Sequence, residues 1–327
     1  MSMADNAKSK NLLGNTQFQI SRLGFGTAPL GSLRDEISVQ DAEALIDNAF
    51  EMGIRYFDTA PLYGEGRSEW HLGNALKKFN RNDYLLSTKV GRLLRTSDTS
   101  DKLDVVYDYN YQGALSSLEE SLERLQLEYV DILLCHDIDV WTHKSKQPQI
   151  FKQATQGILP ALFDLREKGR IKAFGIGVNE WQVCEKVIEL FDIDCILLAG
   201  RFTLLEQEAL NSLLPTCVEK KISVIIGGPY NSGLLATTEK NVATYDYRPV
   251  SDQKWKQAQA IRAICEVHNI DIRAAALQYP LRHSAVVSII PGAKNIDELK
   301  MNIQLMNHDI PDALWDDLDA QGLTRKI

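Results

Sequence analysis

The sequence has no apolar run near the ~20 residues that cross a bilayer. Its first ten residues, MSMADNAKSK, lack the apolar stretch of a secretory leader. No C-x-x-C pair occurs among the five cysteines, Cys135, Cys184, Cys195, Cys217 and Cys265. An odd, scattered set fits a reducing compartment, not a disulfide framework. The six histidines form no H-E-x-x-H and no Cys/His cluster, so no metal is expected. A G-x-x-x-x-G-K-[ST] loop is also missing, which removes P-loop phosphate chemistry. Positive charge is not in excess, since the formal net charge is −8. That disfavours nucleic acid and anionic membrane as partners. With no Gly/Ser linker or charge block, residues 11–327 read as one domain behind a mobile tail of residues 1–10, in a cytoplasmic protein.

What the sequence does have is alternation. Leu12–Ile20 reads as a hairpin around Gly14-Asn15. Short apolar strands then alternate with helical spacings. The strands are Leu23–Thr27, Tyr56–Thr59, Tyr84–Val90, Val130–His136, Ala173–Val178, Cys195–Ala199, Ser223–Ile226 and Val286–Ile290. Helices between them include one from Ser38, with Ala42, Leu45, Ile46 and Ala49 on one face, and a last one at Asn295–Met306. The strands are nearly continuous apolar runs, as strands buried on both faces are. Eight βα units predict an α/β fold, a (β/α)8 TIM barrel, with the N-terminal β-hairpin capping its bottom. A doubly wound sheet would usually carry G-x-G-x-x-G after its first strand, and Gly24-Phe25-Gly26 lacks the third glycine.

In such a barrel the C-terminal strand ends converge. They carry Asp58, Lys89 and His136, with Tyr63 on the loop after the second strand. Each alone has an ordinary explanation: a cap, a solvated amine, a core histidine, a packing tyrosine. Together they make a general acid/base. A free phenol has a pKa near ~10. A neighbouring ammonium lowers it by roughly 1–3 units. Lys89 can supply that charge, Asp58 can hold Lys89, and His136 can orient the substrate oxygen toward Tyr63.

The motifs GFGTAPLG, GIRYFDTAPLYGEGRSE, STKVGR, SLEESLERL and IIPGAK, with Asn302 after the last, resemble the aldo-keto reductases over Leu23 to about Met306. The resemblance implies a barrel that binds nicotinamide cofactor in extended form and a catalytic tetrad of Asp58, Tyr63, Lys89 and His136. It also implies cofactor contacts from Gly26, Thr27, Asp58, Asn179, Pro229, Gly233, Leu234, Pro291, Gly292, Lys294, Glu298 and Asn302. Two positions depart from the family pattern. Ala199 replaces a common Gln, and Gly227 replaces a Tyr that stacks on nicotinamide. Lys294 can pair with a 2′-phosphate, but Glu298 would repel one and accept from a ribose hydroxyl, which tilts NAD or NADP toward NAD.

Within the family, KVGRLL, HDID, GVNEWQV and LLAGRFTLLEQ are most similar to the branch that oxidises aldoses at C1. That branch includes L-fucose and D-threo-aldose 1-dehydrogenases, with pyridoxal 4-dehydrogenase and L-galactose dehydrogenase nearby. It implies oxidation of a sugar-type substrate to the lactone, with Tyr63 accepting the hydroxyl proton. Arg92, Asp137, Asp139, Trp141 and Asn231 are the substrate-contact candidates. Pyridoxal oxidation and general aldehyde or ketone reduction are the alternatives within the family. Outside it stand a Schiff-base lyase using Lys89 and a non-catalytic nucleotide-binding subunit, the latter disfavoured by retention of all four tetrad residues.

Overall fold

The computed structural model describes residues 6–32, 36–97 and 103–327. Eight parallel strands form one sheet: β1 (Phe25–Gly26), β2 (Tyr56–Asp58), β3 (Leu85–Val90), β4 (Ile132–His136), β5 (Ala173–Val178), β6 (Cys195–Ala199), β7 (Ser223–Gly227) and β8 (Val286–Ile290). Their spatial order is their chain order. The first and last strands meet through parallel bridges Leu23↔Ile289 and Gly26↔Gly292, with Gly24 N donating to Ile289 O at 2.9 Å. That seam closes the sheet into a barrel, with helices around it.

Strand side chains alternate between two faces, and the two faces separate into two cores. Outward residues such as Phe57, Leu86, Leu133, Phe174, Ile196 and Val224 join the helices in the larger cluster. Inward residues Tyr56, Ile132, Leu134, Ala173, Cys195, Leu197 and Ile225 fill the barrel, together with Leu13 and Ile20 of the N-terminal hairpin. The inward parity then runs upward into function. Tyr56 leads to Asp58, Leu85 and Ser87 to Lys89, and Ile132 and Leu134 to His136. The same period that builds the core thus aims three ionisable groups into the barrel mouth.

The hairpin pairs Lys10–Leu12 with Gln19–Ser21. It crosses the N-terminal strand ends: Asn11 Nδ2 donates to Val287 O at 2.9 Å, and Gly14 N to Ser223 Oγ at 2.7 Å. Gly14-Asn15 occupies the centre of a turn closed by Thr16 N on Leu13 O, but within a longer loop, because Leu13 N also pairs with Phe18 O. The expected mobile tail meets the structure only from Asn6, since residues 1–5 lie outside the described residues. There the chain is tied down. Ala7 is buried, its N–H bonds Asn307 Oδ1 at 2.8 Å, and Asn6 Nδ2 reaches Met306 O.

Helix Val39–Glu51 begins as its spacing predicts: Ser38 Oγ accepts from Asp41 N, and Ala42, Leu45, Ile46 and Ala49 are buried. Three elements differ from the sequence expectation. An antiparallel pair, Arg92–Thr96 with Leu103–Tyr107, stands on top of β3. The polar stretch 142–149, to which the alternation assigns no element, is helical. A further helix, Asp312–Ala320, buries Leu314, Trp315 and Leu318 after the expected last one. Among the described residues, no helix is long and apolar enough to cross a membrane.

Candidate active site

Three inward side chains and one loop residue meet at the barrel mouth. Lys89 is almost fully buried, and its ammonium donates to Asp58 Oδ2 at 2.7 Å, Thr59 O at 2.8 Å and Tyr63 OH at 3.2 Å. An ammonium has three N–H donors, so all are engaged. Asp58 is oriented in turn. Its Oδ1 accepts from Ser87 Oγ at 2.6 Å, and Ser87 Oγ also lies 2.9 Å from Tyr56 OH. Glycine makes room for the Lys89 stem: a Cβ on Gly177 would stand 3.3 Å from Lys89 Cε.

Tyr63 is placed by a backbone contact. A Cβ on Gly31 would sit 2.4 Å from Tyr63 O, and one on Gly64 2.0 Å from Gly31 O. Both glycines are therefore required for the first and second loops to touch. Ser68 reinforces this junction, bonding Thr27 O at 2.8 Å and approaching Thr27 Oγ1 and Thr59 Oγ1. Glu69 is fully buried and ties Thr88 Oγ1 to Arg124 Nε, each at 2.6 Å. The GEGRSE motif is thus the brace of the Tyr63 loop.

His136 faces Tyr63 edge-on, with ring centroids 6.3 Å apart. Burial, then the charges of Arg92 and Lys89, hold its pKa well below the usual imidazole range, so it is neutral. Next to it Asp137 adopts a left-handed backbone, φ 45. Its Oδ2 lies 3.5 Å from His136 Nε2 and is bonded by the Arg92 guanidinium, while Oδ1 accepts from Asn179 Nδ2 at 2.9 Å. Burial pushes the Asp137 carboxyl up to about 6, against the pull of Arg92. Tyr109 OH supports the turn, lying 2.8 Å from both His136 O and Asp137 O and sharing its one proton with them.

The expected lowering of the Tyr63 pKa is not the net effect. Burial raises the phenol above its ordinary value, and Lys89 only offsets part of that rise. For Lys89, burial favours the neutral amine, but Asp58 and Tyr63 outweigh it and hold the pKa above the usual lysine value. A protonated amine with every N–H engaged has no lone pair for a carbonyl, which argues against the Schiff-base lyase.

Of the other expected residues, Thr27 is buried and spends its hydroxyl on Asp58 O. Asp139 is fully buried and engaged by backbone. Its oxygens accept from Thr142 N at 2.9 Å and Asn179 N at 2.8 Å, because it caps helix Val140–His143. The Trp141 ring has the Lys144 ammonium at 4.6 Å and the Arg248 guanidinium at 5.3 Å from its centroid. Glu298 Oε2 accepts from Lys294 N at 2.7 Å, bracing the turn after β8, and Asn302 is held between Tyr230 OH and Gly292 O. Sequence reasoning missed Ser87, Glu69 and Tyr109. One inward serine, one acid in a helix and one loop tyrosine carry no distinguishing pattern.

The tops of β6 and β7 are bare backbone. A Cβ on Gly228 would meet only Gly200 N at 3.7 Å, and one on Gly200 nothing nearer than Asn231 Nδ2 at 3.6 Å. Beside them the buried Asn231 Oδ1 has no partner. A flat polar-edged group fits this side-chain-free stretch beside Asn231.

A model of the aldo/keto reductase family matches residues 22–322. The chain belongs to the aldo/keto reductase family. It is 37% identical to the pyridoxal 4-dehydrogenase of Microbacterium luteolum, over 97% of this chain and 98% of that one. It is 36% identical to a D-threo-aldose 1-dehydrogenase of Pseudomonas sp, over 91% and 93%. An aldo-keto reductase of Bacillus halodurans, solved in its holo form, superposes with a TM-score of 0.75 at 26% identity, covering 97% of each chain. This aldo-keto reductase is accordingly an NAD(P)-dependent oxidoreductase built on the family's barrel.

Proposed function

We propose that the enzyme oxidises a ring-closed, hydroxylated substrate, an aldose at C1, to the lactone. The supporting observation is the Arg92–Asp137 pair beside His136, whose ring faces Tyr63. A guanidinium and a carboxylate side by side can donate to one hydroxyl and accept from its neighbour, as vicinal diols require. A simple aldehyde has no use for such a buried pair, which would only cost desolvation.

Bound nicotinamide supplies the hydride acceptor for the C1 hydrogen. Asn179, Asn231, Gly200, Gly228 and Gly233 would hold it along the bare stretch, with Gly26, Thr27, Pro229, Leu234, Pro291, Gly292, Lys294 and Asn302 toward its phosphates and adenosine. Tyr63, as phenolate, takes the C1 hydroxyl proton. The Lys89 ammonium stabilises that phenolate, Asp58 keeps the ammonium charged, and neutral His136 orients the substrate oxygen. Glu298 at the adenosine end favours NAD by repelling a 2′-phosphate. Replacing it with Ala should improve NADP use, and an unchanged cofactor ratio would demote it to bracing Lys294. The names of the two relatives support an aldose or pyridoxal as substrate. Both close a ring through a hydroxyl, so pyridoxal is the second reading.

Turnover with NAD and NADP over L-fucose, D-arabinose, L-galactose, pyridoxal and short aldehydes tests this. The proposal expects NAD-dependent oxidation of one aldose above the rest. Activity confined to reduction of short aldehydes with NADPH would overturn it.

A further inference from the structure

Strand β4 ends in an abrupt turn. Asp137 N still donates to Gly177 O of β5 at 2.8 Å, but the Asp137 backbone is left-handed, with φ 45. In an extended strand successive carbonyls point opposite ways. Here His136 O and Asp137 O both lie 2.8 Å from one phenolic oxygen, that of Tyr109. Strain of this kind persists only where the surroundings over-determine it.

Carbonyl oxygens only accept, so two of them call for two protons. Tyr109 has one to share. The second is on His143, whose Nε2 lies 2.8 Å from Asp137 O and 3.0 Å from Tyr109 OH. Because Asp137 O can only accept, His143 carries a proton on Nε2. Burial lowers the pKa of the ring, so it is neutral and this is its one N–H.

Both side chains are built into place. Tyr109 and His143 are buried. A Cβ on Gly91, which has φ 107, would stand 2.7 Å from Tyr109 Cε1, so the glycine of the KVGR run leaves room for this ring. The His143 ring meets Tyr107 and Tyr109 edge-on, with centroids 4.8 and 5.5 Å away. It closes helix Val140–His143, which Asp139 caps. The chain thus leaves β4, makes one helical turn and comes back to bond its own exit. Leucine and phenylalanine would fill the same space with no polar atom to satisfy, so packing alone does not account for a buried imidazole and phenol aimed at these two carbonyls.

We propose that Tyr109 and His143 are positioning residues for the reaction, which together fix the His136–Asp137 turn and so aim the imidazole and the carboxylate. His136 turns its ring to Tyr63 and Asp137 its carboxylate to Arg92 from consecutive residues. One rotation of the peptide between them would misdirect both. This rests on the roles given to His136 and Asp137 above, and holds for any substrate that meets them.

The test compares Tyr109→Phe, His143→Gln, His143→Asn, His143→Leu and His136→Ala with wild type. The substrate is whichever of L-fucose, L-galactose, pyridoxal and glyceraldehyde the wild type turns over fastest, and Tm is measured on the same samples. The Gln amide N–H can stand where Nε2 does, whereas Asn reaches only as far as Nδ1 and Leu has no donor. Tyr109→Phe, His143→Asn and His143→Leu should lower kcat/KM roughly ten- to a hundredfold, the range that a displacement of about 1 Å costs. His143→Gln should stay within about threefold of wild type, whatever the order of the Tm values. Wild-type kcat/KM in Tyr109→Phe and His143→Leu, or activity that follows Tm with Gln no better than Leu, would overturn the assignment. If those two variants are intact while His136→Ala is inactive, the positioning role fails alone. If His136→Ala keeps wild-type turnover, the role given to His136 fails and this assignment falls with it.

Discussion

Lys89 has three N–H bonds, and Asp58, Thr59 O and Tyr63 receive one each. The amine is therefore a fixed positive charge aimed at one phenolic oxygen. Because burial keeps the Tyr63 pKa raised, phenolate is the minor form near neutrality. On the proposed mechanism oxidation uses the Tyr63 phenolate and should speed up by as much as about tenfold per pH unit above neutrality, while reduction, using the phenol, stays level. Lys89→Met should move the oxidative rise further alkaline or abolish turnover, and an identical profile would reject its tuning role. Asp137 gives a second, acidic limb. Its carboxyl sits at about 6, so below that pH it loses its charge and KM for a hydroxylated substrate should rise. His136, held well below the usual range, does not titrate there. Asp137→Asn should flatten that limb in a plot of KM against pH, and a limb that survives the change belongs to another group.

Strands β4 and β6 begin with the same device. Asp131, fully buried, accepts from Leu86 N of β3 at 2.8 Å while pairing with Arg81 and Lys172. Asp194 accepts from Phe174 N of β5 at 2.9 Å while pairing with Arg166. Each carboxylate satisfies a neighbouring strand's amide at the barrel bottom and fixes register there. Asp131→Ala leaves that amide and two cations unmatched and should cost about 3–5 kcal/mol in urea unfolding. A loss below about 1 kcal/mol would mean water replaces the carboxylate. At the opposite end, Gly64→Ala adds a Cβ 2.0 Å from Gly31 O. It should displace the Tyr63 loop and cut kcat far more than it weakens cofactor binding, read by comparing kcat with cofactor Kd. Unchanged kcat would show that the two loops can separate without moving Tyr63.

The barrel was legible across the whole chain because each buried strand is a short apolar run between helical spacings. Their positions at C-terminal strand ends likewise brought Asp58, Lys89 and His136 together. The pair Arg92–Thr96 and Leu103–Tyr107 was not legible. The first strand is buried only over Arg92–Leu94 and the second is largely exposed, and Arg95 and Asp104 interrupt the apolar pattern. Helix Asp312–Ala320 did carry a signal, Leu314, Trp315 and Leu318 after Pro311, that a count of eight units had no place for. At the site, side-chain types were readable but their commitments were not. Asp139 looked like Asp137, and only the fold shows one capping a helix and the other facing His136. Nor could the sequence weigh burial against the Lys89 charge at Tyr63, since that balance depends on how far the mouth is closed.

Across the molecule, hairpin below, braces at mid-height and loops above all converge on one phenolic oxygen beside one ammonium. The measurement closest to that claim is Tyr63→Phe, assayed for turnover and for nicotinamide binding on the same preparation. The account predicts turnover lost by at least about 10²-fold with cofactor Kd unchanged, because only the transferable proton has gone. Substantial turnover in that variant, or loss of binding along with activity, would contradict it.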